Sequence, residues 1–286
     1  MGKTVVHVGI SKSGTTSLQN NVFARLPNIA NLGRPNHTDE FYRSFLAAVI
    51  GEGDNLAGAD PLMAAVASEQ RPVIISDETL AGAEVDIAKV AQRLAALLPE
   101  AEILITIRRQ DRALVSWWMR HMQHLSWRAC FDDYAPSGAF FGRIAYDEVA
   151  TIFERSFGRE NVRVMLFEEM TGAPEVFMGR LAPVIGVPVE NLLSVWHSMP
   201  ARNPTISRRQ QLYRYARRLL PFRGLRNWLP GNIVEEGLRF LAGGRRAAFE
   251  IPAADRARIE EIYGPGNRAV AAAYGLPLDR WGYPGF

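Results

Sequence analysis

A β-branched run, Val5-Val6-His7-Val8, ends at Gly9 and opens into a small polar loop, Ile10-Ser11-Lys12-Ser13-Gly14-Thr15. Helical spacing begins at Thr16 and carries Leu18, Val22, Phe23 and Leu26. No other stretch constrains the chain as strongly, because strand, compact loop and helix start in that order form an anion site. The first N–H groups of a helix have no partner within it and carry the positive end of its dipole. Phosphate suits such a place, and Gly14 permits close backbone approach. Taken alone, the loop says only that an anion can sit at a helix start.

The rest of the pattern places that loop in a sheet. Pro72 to Ser76 is apolar on both faces, as a buried parallel strand is, and runs directly into Asp77-Glu78-Thr79. The next helix has Ile87, Ala91, Leu94 and Leu98 on one side and stops before Pro99. Ile103 to Ile107 is a third strand, ending in Arg108-Arg109. Right-handed crossovers make these strands parallel, so Lys12, Glu78 and Arg108 are expected at one carboxyl edge. Ala113 to Leu125 is expected to be helical with Ser116 in its first turns, Val162 to Phe167 a fourth strand, and Pro174 to Ile185 a helix ending at Gly186. Asn28 to His37 reads as loop, followed by a helix through Phe41, Phe45, Leu46 and Val49 and a short one around Leu62 to Ser68. Beyond Pro188 only helical patterns return, at Arg208 to Leu220 and from Ala253 to Tyr263 or on to Tyr274. The expectation is one α/β domain over residues 1–286, with an α/β core over 1–186 and a helical C-terminal part over 187–286.

Charge is unevenly placed. The net charge is +3, yet Ala201 to Arg246 holds eleven arginines against Glu235 and Glu236. That basicity is local and argues for one surface, not for general nucleic-acid affinity. The Arg208 to Arg226 face is either solvated or in contact with an anionic ligand or a membrane surface. Lys3, Lys12 and Lys89 are the only lysines beside thirty arginines, so Lys12 stands out as a compact point charge within the loop. One cysteine, Cys130, allows no internal disulfide, and no run approaches the roughly 20 apolar residues of a membrane span. A cytoplasmic protein is expected; oligomeric state is not legible.

The loop is not a Walker A sequence, which places Gly-Lys-Ser/Thr together; here Lys12 precedes Gly14, and Thr15-Thr16 follows. The strand at Ile103 to Ile107 ends in arginine where a Walker B carboxylate would hold Mg²⁺. An ATP-dependent phosphotransferase is therefore the second choice, and a non-catalytic nucleotide-binding protein of the same fold the third. Lys12-Ser13-Gly14-Thr15-Thr16 after a strand resembles the 5′-phosphosulfate loop of the sulfotransferases that use 3′-phosphoadenosine 5′-phosphosulfate, PAPS. Arg108 with Ser116 eight residues later, and Arg112-Ala113 between, resembles that family's second signature. Phe157-Gly158, Phe167-Glu168, Ile185-Gly186-Val187, Arg202-Asn203-Pro204 and Arg280-Trp281-Gly282-Tyr283-Pro284 are similar to features of its bacterial members. Arg109-Gln110-Asp111 departs from the Asn-Pro often found after the motif's arginine.

The resemblance implies a P-loop-like three-layer α/β/α fold with about four or five parallel strands, PAPS as donor, PAP (adenosine 3′,5′-bisphosphate) as product, and no metal. It assigns the 5′-phosphate to the N–H groups of Ser13, Gly14, Thr15 and Thr16 with the Thr15 and Thr16 hydroxyls. The 3′-phosphate falls to Arg108 and Ser116, with Arg202 and Asn203 as further nucleotide candidates. Lys12 would face the oxygen bridging phosphorus and sulfur. A glutamate after the second strand is the base in the carbohydrate and tyrosyl branches; Glu78 occupies that place, with Asp77 as competitor and helix cap as the other role. His7 is expected to be a satisfied core histidine. His121 and His124, three apart, lack any metal-site pattern. Trp117 and Trp118 are either core or, with Arg120, His121 and His124, a platform facing the acceptor, which is a glycan, a lipid or a small hydroxylated metabolite.

Overall fold

The computed structural model describes residues 2–34, 40–121, 127, 131, 139–198, 236, 240 and 249–286. Five parallel strands form its centre: β1 (Thr4–Gly9), β2 (Ala30–Asn31), β3 (Val73–Asp77), β4 (Glu102–Ile107) and β5 (Val162–Leu166), ordered β2-β3-β1-β4-β5. β1 pairs with β3 from Thr4↔Val73 to Val8↔Asp77, and with β4 from Val5↔Glu102 to Gly9↔Thr106. The chain thus passes from β1 to the edge at β2, returns to β3 beside β1, and then crosses to β4 and β5 on the other side. Open α/β sheets bind ligands beyond the carboxyl ends at such a reversal.

Alternation along the strands creates two cores. Val6, Val8, Ile75, Ile103 and Ile105 face one side, covered by Tyr42 and Phe45 of α2 (Glu40–Ile50), Leu62 of α3 (Asp60–Ser68), Leu94 of α4 (Ile87–Leu97) and Ala113 of α5 (Gln110–His121). Phe140 of α6 (Ala139–Arg143) and Phe153 of α7 (Tyr146–Phe157) complete that layer. Val5, Ile74, Leu104 and Met165 face the other side, against Met170 of α8 (Phe167–Gly172), Phe177 and Leu181 of α9 (Pro174–Ile185) and Leu192 of α10 (Val189–His197). The long α11 (Ala253–Tyr274) returns to the first face through Ile259, Tyr263 and Val270. This is the expected three-layer α/β/α arrangement. Each large side chain so buried contributes about 1.5–3 kcal/mol.

Local chemistry sets the element ends. Asp86 accepts from the N–H groups of Ala88 and Lys89 and starts α4; Gly186, at φ +69°, closes α9.

Several elements differ from expectation. Ala30 and Asn31, within the expected loop, form β2, held by bonds from Ala30 N–H to the Pro72 carbonyl and from Leu32 N–H to that of Ile74. Two residues give no periodic signal. The helix after the loop begins at Thr15 as α1 (Thr15–Ser17), widens to a π turn at Leu18–Val22 and tightens to a 3-10 turn at Phe23–Arg25. Phe167 begins α8 instead of ending β5, α5 starts at Gln110, and α11 takes the longer span despite Pro265. Among the described residues no helix is long and apolar enough to cross a membrane. Cys130, His124, Arg202, Asn203 and the Arg208 to Arg226 segment lie outside the described residues.

Candidate active site

Gly9 closes β1 where Thr15 folds back over it; a Cβ on Gly9 would lie 2.2 Å from Thr15 Cγ2. Lys12 takes φ +73° and Gly14 φ +88°, both left-handed. Gly14 is required twice over, since a Cβ there would also come within 2.6 Å of Phe167 Cδ2 and Met170 Cε. Lys12 has no such exemption, and left-handed backbone costs a lysine about 1–2 kcal/mol. Strain of this kind persists only where the surroundings enforce it, and it gathers at functional loops. Here the Ile10 carbonyl enforces it by accepting from Ser13 N–H at 3.2 Å, Ser13 Oγ at 2.5 Å and Thr15 Oγ1 at 3.3 Å.

The Ser13 N–H and the Thr15 hydroxyl, both expected to face a phosphate, are thus spent inside the loop. The N–H groups of Gly14, Thr15 and Thr16 have no backbone partner among the described residues, and the Thr16 side chain is exposed. These N–H groups at the helix start are therefore available to a ligand.

Arg108, from the end of β4, reaches the loop directly. Its Nη1 donates to the Lys12 carbonyl at 3.0 Å, and its guanidinium lies 4.5 Å over the Phe167 ring. Tyr146 holds its backbone, donating to the Arg108 carbonyl at 2.5 Å and accepting from the Arg108 N–H at 3.2 Å. The Arg108 Nε is buried with no hydrogen-bond partner among the described residues. Burial pulls the Arg108 pKa below its ordinary value, against the opposing pull of Glu168. A buried donor left unpaired costs about 1–3 kcal/mol, so this position favours an anionic ligand.

The segment where Asn-Pro is often found is anchored from the far end of the chain. Arg109 forks onto Asp111 at 3.1 and 2.8 Å, and its N–H donates to Glu168, which also accepts from the Tyr283 hydroxyl at 2.7 Å. Buried Gln110 exchanges amide hydrogen bonds with Asn267 at 2.7 and 3.1 Å. Ser116 sits half-buried on α5, and no hydrogen bond joins it to Arg108 among the described residues.

Asp77 and Glu78 end β3 with opposite environments. Asp77 is 0% exposed and accepts from Thr79 N–H at 2.7 Å, Thr79 Oγ1 at 2.6 Å, the Tyr42 hydroxyl at 2.6 Å and Arg34 Nε at 3.0 Å. Burial raises its pKa, but the hydrogen bonds from Thr79 and Tyr42, with Arg34 added, outweigh that and hold it below the ordinary carboxylate range. Asp77 is the cap of the next turn. The Glu78 side chain is 41% exposed, with Arg34 Nη1 at 3.9 Å.

Burial, then the charge of Arg120, pull the Lys12 ammonium down to about 8; Glu78 acts the other way, and Arg108 adds to the fall. Lys12, Glu78 and Arg108 therefore share one electrostatic neighbourhood, as the three strand ends led us to expect. His7 is buried between Ser76 and Thr106, and burial lowers its pKa to about 3. Trp117 stacks on Phe140 at 5.1 Å and Trp118 packs against Phe249 at 4.8 Å and Trp127 at 5.7 Å, so both belong to an aromatic layer.

A sulfotransferase from Alicyclobacillus acidocaldarius superposes with a TM-score of 0.59 at 17% identity, covering 98% of this chain and 98% of its own. The fold is that of a sulfotransferase. Mouse sulfotransferase SULT7A1 complexed with PAP (TM-score 0.46, 14% identity, 68% of this chain and 63% of that one) and the sulfotransferase domain of the curacin biosynthetic pathway (0.43, 13%, 68% and 78%) are also similar. No protein-family model and no curated protein matches the sequence.

Within this sulfotransferase fold, two charged residues join the neighbourhood, Arg34 without a sequence signal and Arg120 from the helix on which Trp117 and Trp118 also lie. Arg34 lies in a stretch that reads as loop, and only the pairing of β2 with β3 brings it to Asp77. Arg120, one of the residues that could face an acceptor, is brought to Lys12 by the phase of α5. Tyr146 and Tyr283, which brace Arg108 and Glu168, are equally silent in sequence, although Tyr283 falls within the closing motif.

Proposed function

We propose that the chain is a PAPS-dependent sulfotransferase that moves a sulfuryl group to a hydroxyl of a glycan, lipid or small metabolite. The observation that carries this reading is Arg108, which grips the Lys12 carbonyl while its buried Nε lacks a partner among the described residues. A donor with phosphates at both ends of a nucleoside fits a loop rich in free N–H groups beside such an arginine. Gly14, Thr15 and Thr16 N–H groups would hold the 5′-phosphate, and Arg108 with Ser116 the 3′-phosphate.

When bound, PAPS supplies a sulfuryl group activated by its bond to the 5′-phosphate. Glu78, half-exposed at the end of β3, accepts the proton of the acceptor hydroxyl. Lys12, partly desolvated, sets its positive charge where the donor's bridging oxygen gains negative charge; a preorganised cation acts strongly in such a site. Asp77 holds Arg34 and the turn that presents Glu78.

Calorimetric titration with PAP, and incubation with labelled PAPS and fractionated metabolites and glycans, test the reading. Tight PAP binding without Mg²⁺ and a labelled product are expected. Preference for Mg-ATP would make the chain a phosphotransferase, and PAP binding without any modified acceptor would make it a non-catalytic nucleotide binder.

A further inference from the structure

Beneath the loop lies a row of buried polar side chains that runs from Gln19 through Ser76, His7 and Thr106 to Ser13 of the loop itself. Gln19, Ser76, His7, Thr106 and Ser13 are each at most 4% exposed. Gln19 Nε2 lies 3.1 Å from Ser76 Oγ, Ser76 Oγ 2.7 Å from His7 Nδ1, His7 Nε2 3.2 Å from Thr106 Oγ1, and Thr106 Oγ1 3.1 Å from Ser13 Oγ. The row ends on the Ile10 carbonyl, 2.5 Å from Ser13 Oγ.

That last group decides the direction of every proton in the row, because a carbonyl only accepts. Ser13 has one hydroxyl proton and gives it to Ile10, so towards Thr106 it accepts. Thr106 gives its proton to Ser13, so towards His7 it accepts. His7 must then carry its proton on Nε2, and its bare Nδ1 takes the proton of Ser76. Ser76 in turn accepts from the Gln19 amide. Each hydroxyl donates once and accepts once, with no buried group in the row left over.

Sequence position gives this row its meaning. Ser76 stands two residues before Glu78 on β3, Thr106 two before Arg108 on β4, and Ser13 beside the strained Lys12. We propose that His7 is a positioning residue, fixed as its Nε2–H tautomer in a one-way hydrogen-bond chain that sets the loop, the base and the arginine in mutual register. This rests on the donor-site reading above. Thr106 is the link whose removal separates the loop from β1 and β3 at least steric cost, since valine has nearly its shape.

The test has a spectroscopic and a functional arm. In the ¹⁵N spectrum of histidine-labelled protein at neutral pH, His7, assigned by its loss in His7→Gln, should show a protonated Nε2 and a bare Nδ1. The Nδ1–H form, or a doubly protonated ring, overturns the chain of bonds. Thr106→Val should lower kcat for transfer by about ten- to a hundredfold, as small misplacements of reacting groups do, while Thr106→Ser stays within about threefold of wild type. Equal turnover and PAP affinity in Thr106→Val and wild type overturns the positioning role. Failure of the wild type to bind PAP overturns the donor-site reading and its consequence, while the histidine spectrum still decides the hydrogen-bond chain. If Thr106→Val does not fold, the spectrum of the wild type and the rescue by serine carry the decision.

Discussion

Two adjacent carboxylates at the end of β3 should separate cleanly when each is turned into its amide. In Asp77→Asn, the amide oxygen can still accept from Thr79, but the NH₂ group must then face both Tyr42 and Arg34. The Tyr42 hydroxyl can rotate to accept; the Arg34 Nε–H cannot. The lost ion pair is discounted because the Arg34 side chain is 33% exposed, leaving about 1–2 kcal/mol, and the opposed donors add about 1–2 more. A loss of about 2–4 kcal/mol lowers Tm by roughly 3–7 °C in a chain of this size. In Glu78→Gln, by contrast, the side chain is 41% exposed and its nearest cation is 3.9 Å away, so stability changes by under about 0.5 kcal/mol. Turnover of PAPS should fall by about 10²- to 10³-fold with PAP affinity unchanged, the usual range for loss of a general base.

The assays are thermal unfolding followed by circular dichroism, and transfer from labelled PAPS under single-turnover conditions. pH provides an internal check on the sign. Folding lowers the Asp77 pKa, so its stabilisation is complete above the ordinary carboxylate pKa and disappears as pH falls through the folded value. The Tm gap between wild type and Asp77→Asn should therefore close in acid. An unchanged Tm in Asp77→Asn with retained turnover in Glu78→Gln would refute the division of labour and return the role of base to Asp77 or a histidine.

Other expectations concern the loop and its arginine. Lys12→Ala should impair transfer more than PAP binding, compared by kcat and calorimetric Kd; equal losses would make the lysine a simple anchor. Because free Lys12 titrates at about 8 and a bound phosphate raises that value, PAP affinity should weaken above pH 8 by up to about tenfold per unit, and Lys12→Met should flatten this limb. Arg108→Lys loses the fork and the stacking on Phe167, so PAP Kd should rise by about tenfold or more in the same titration. Tyr283→Phe leaves Glu168 one donor short beside the Arg109 N–H and should raise the donor KM severalfold without changing the pH profile.

What the sequence discloses here follows the range of the interactions involved. The loop, the buried strands at Pro72 and Ile103 and the helix ending at Gly186 are legible because each is set by residues within a few positions. The pairing of Lys12, Glu78 and Arg108 was also accessible, since parallel strands joined by right-handed crossovers have only one edge for their carboxyl ends. β2 was not, because two residues have no period; its existence depends on Pro72 and Ile74 offering carbonyls to Ala30 and Leu32. Arg34 was hidden with it, although it supplies the countercharge that holds Asp77 to its capping role.

The same distinction explains how the loop itself was read. Its shape is local, but the use of its donors is not. Ser13 and Thr15 belong to the phosphate motif by sequence, yet the Ile10 carbonyl takes the Ser13 N–H and the Thr15 hydroxyl, and the Ser13 hydroxyl passes into the row that crosses β1. A motif states which residue types suit an anion; the strands beneath determine which of their protons remain to bind it. In this chain those include the protons of Gly14, Thr15 and Thr16 N–H and the buried Arg108 Nε, whose guanidinium also donates to the strained Lys12 backbone. The left-handed lysine is thus best understood as the joint between two halves: its carbonyl accepts from Arg108, and its ammonium feels the opposed charges of Glu78 and Arg120.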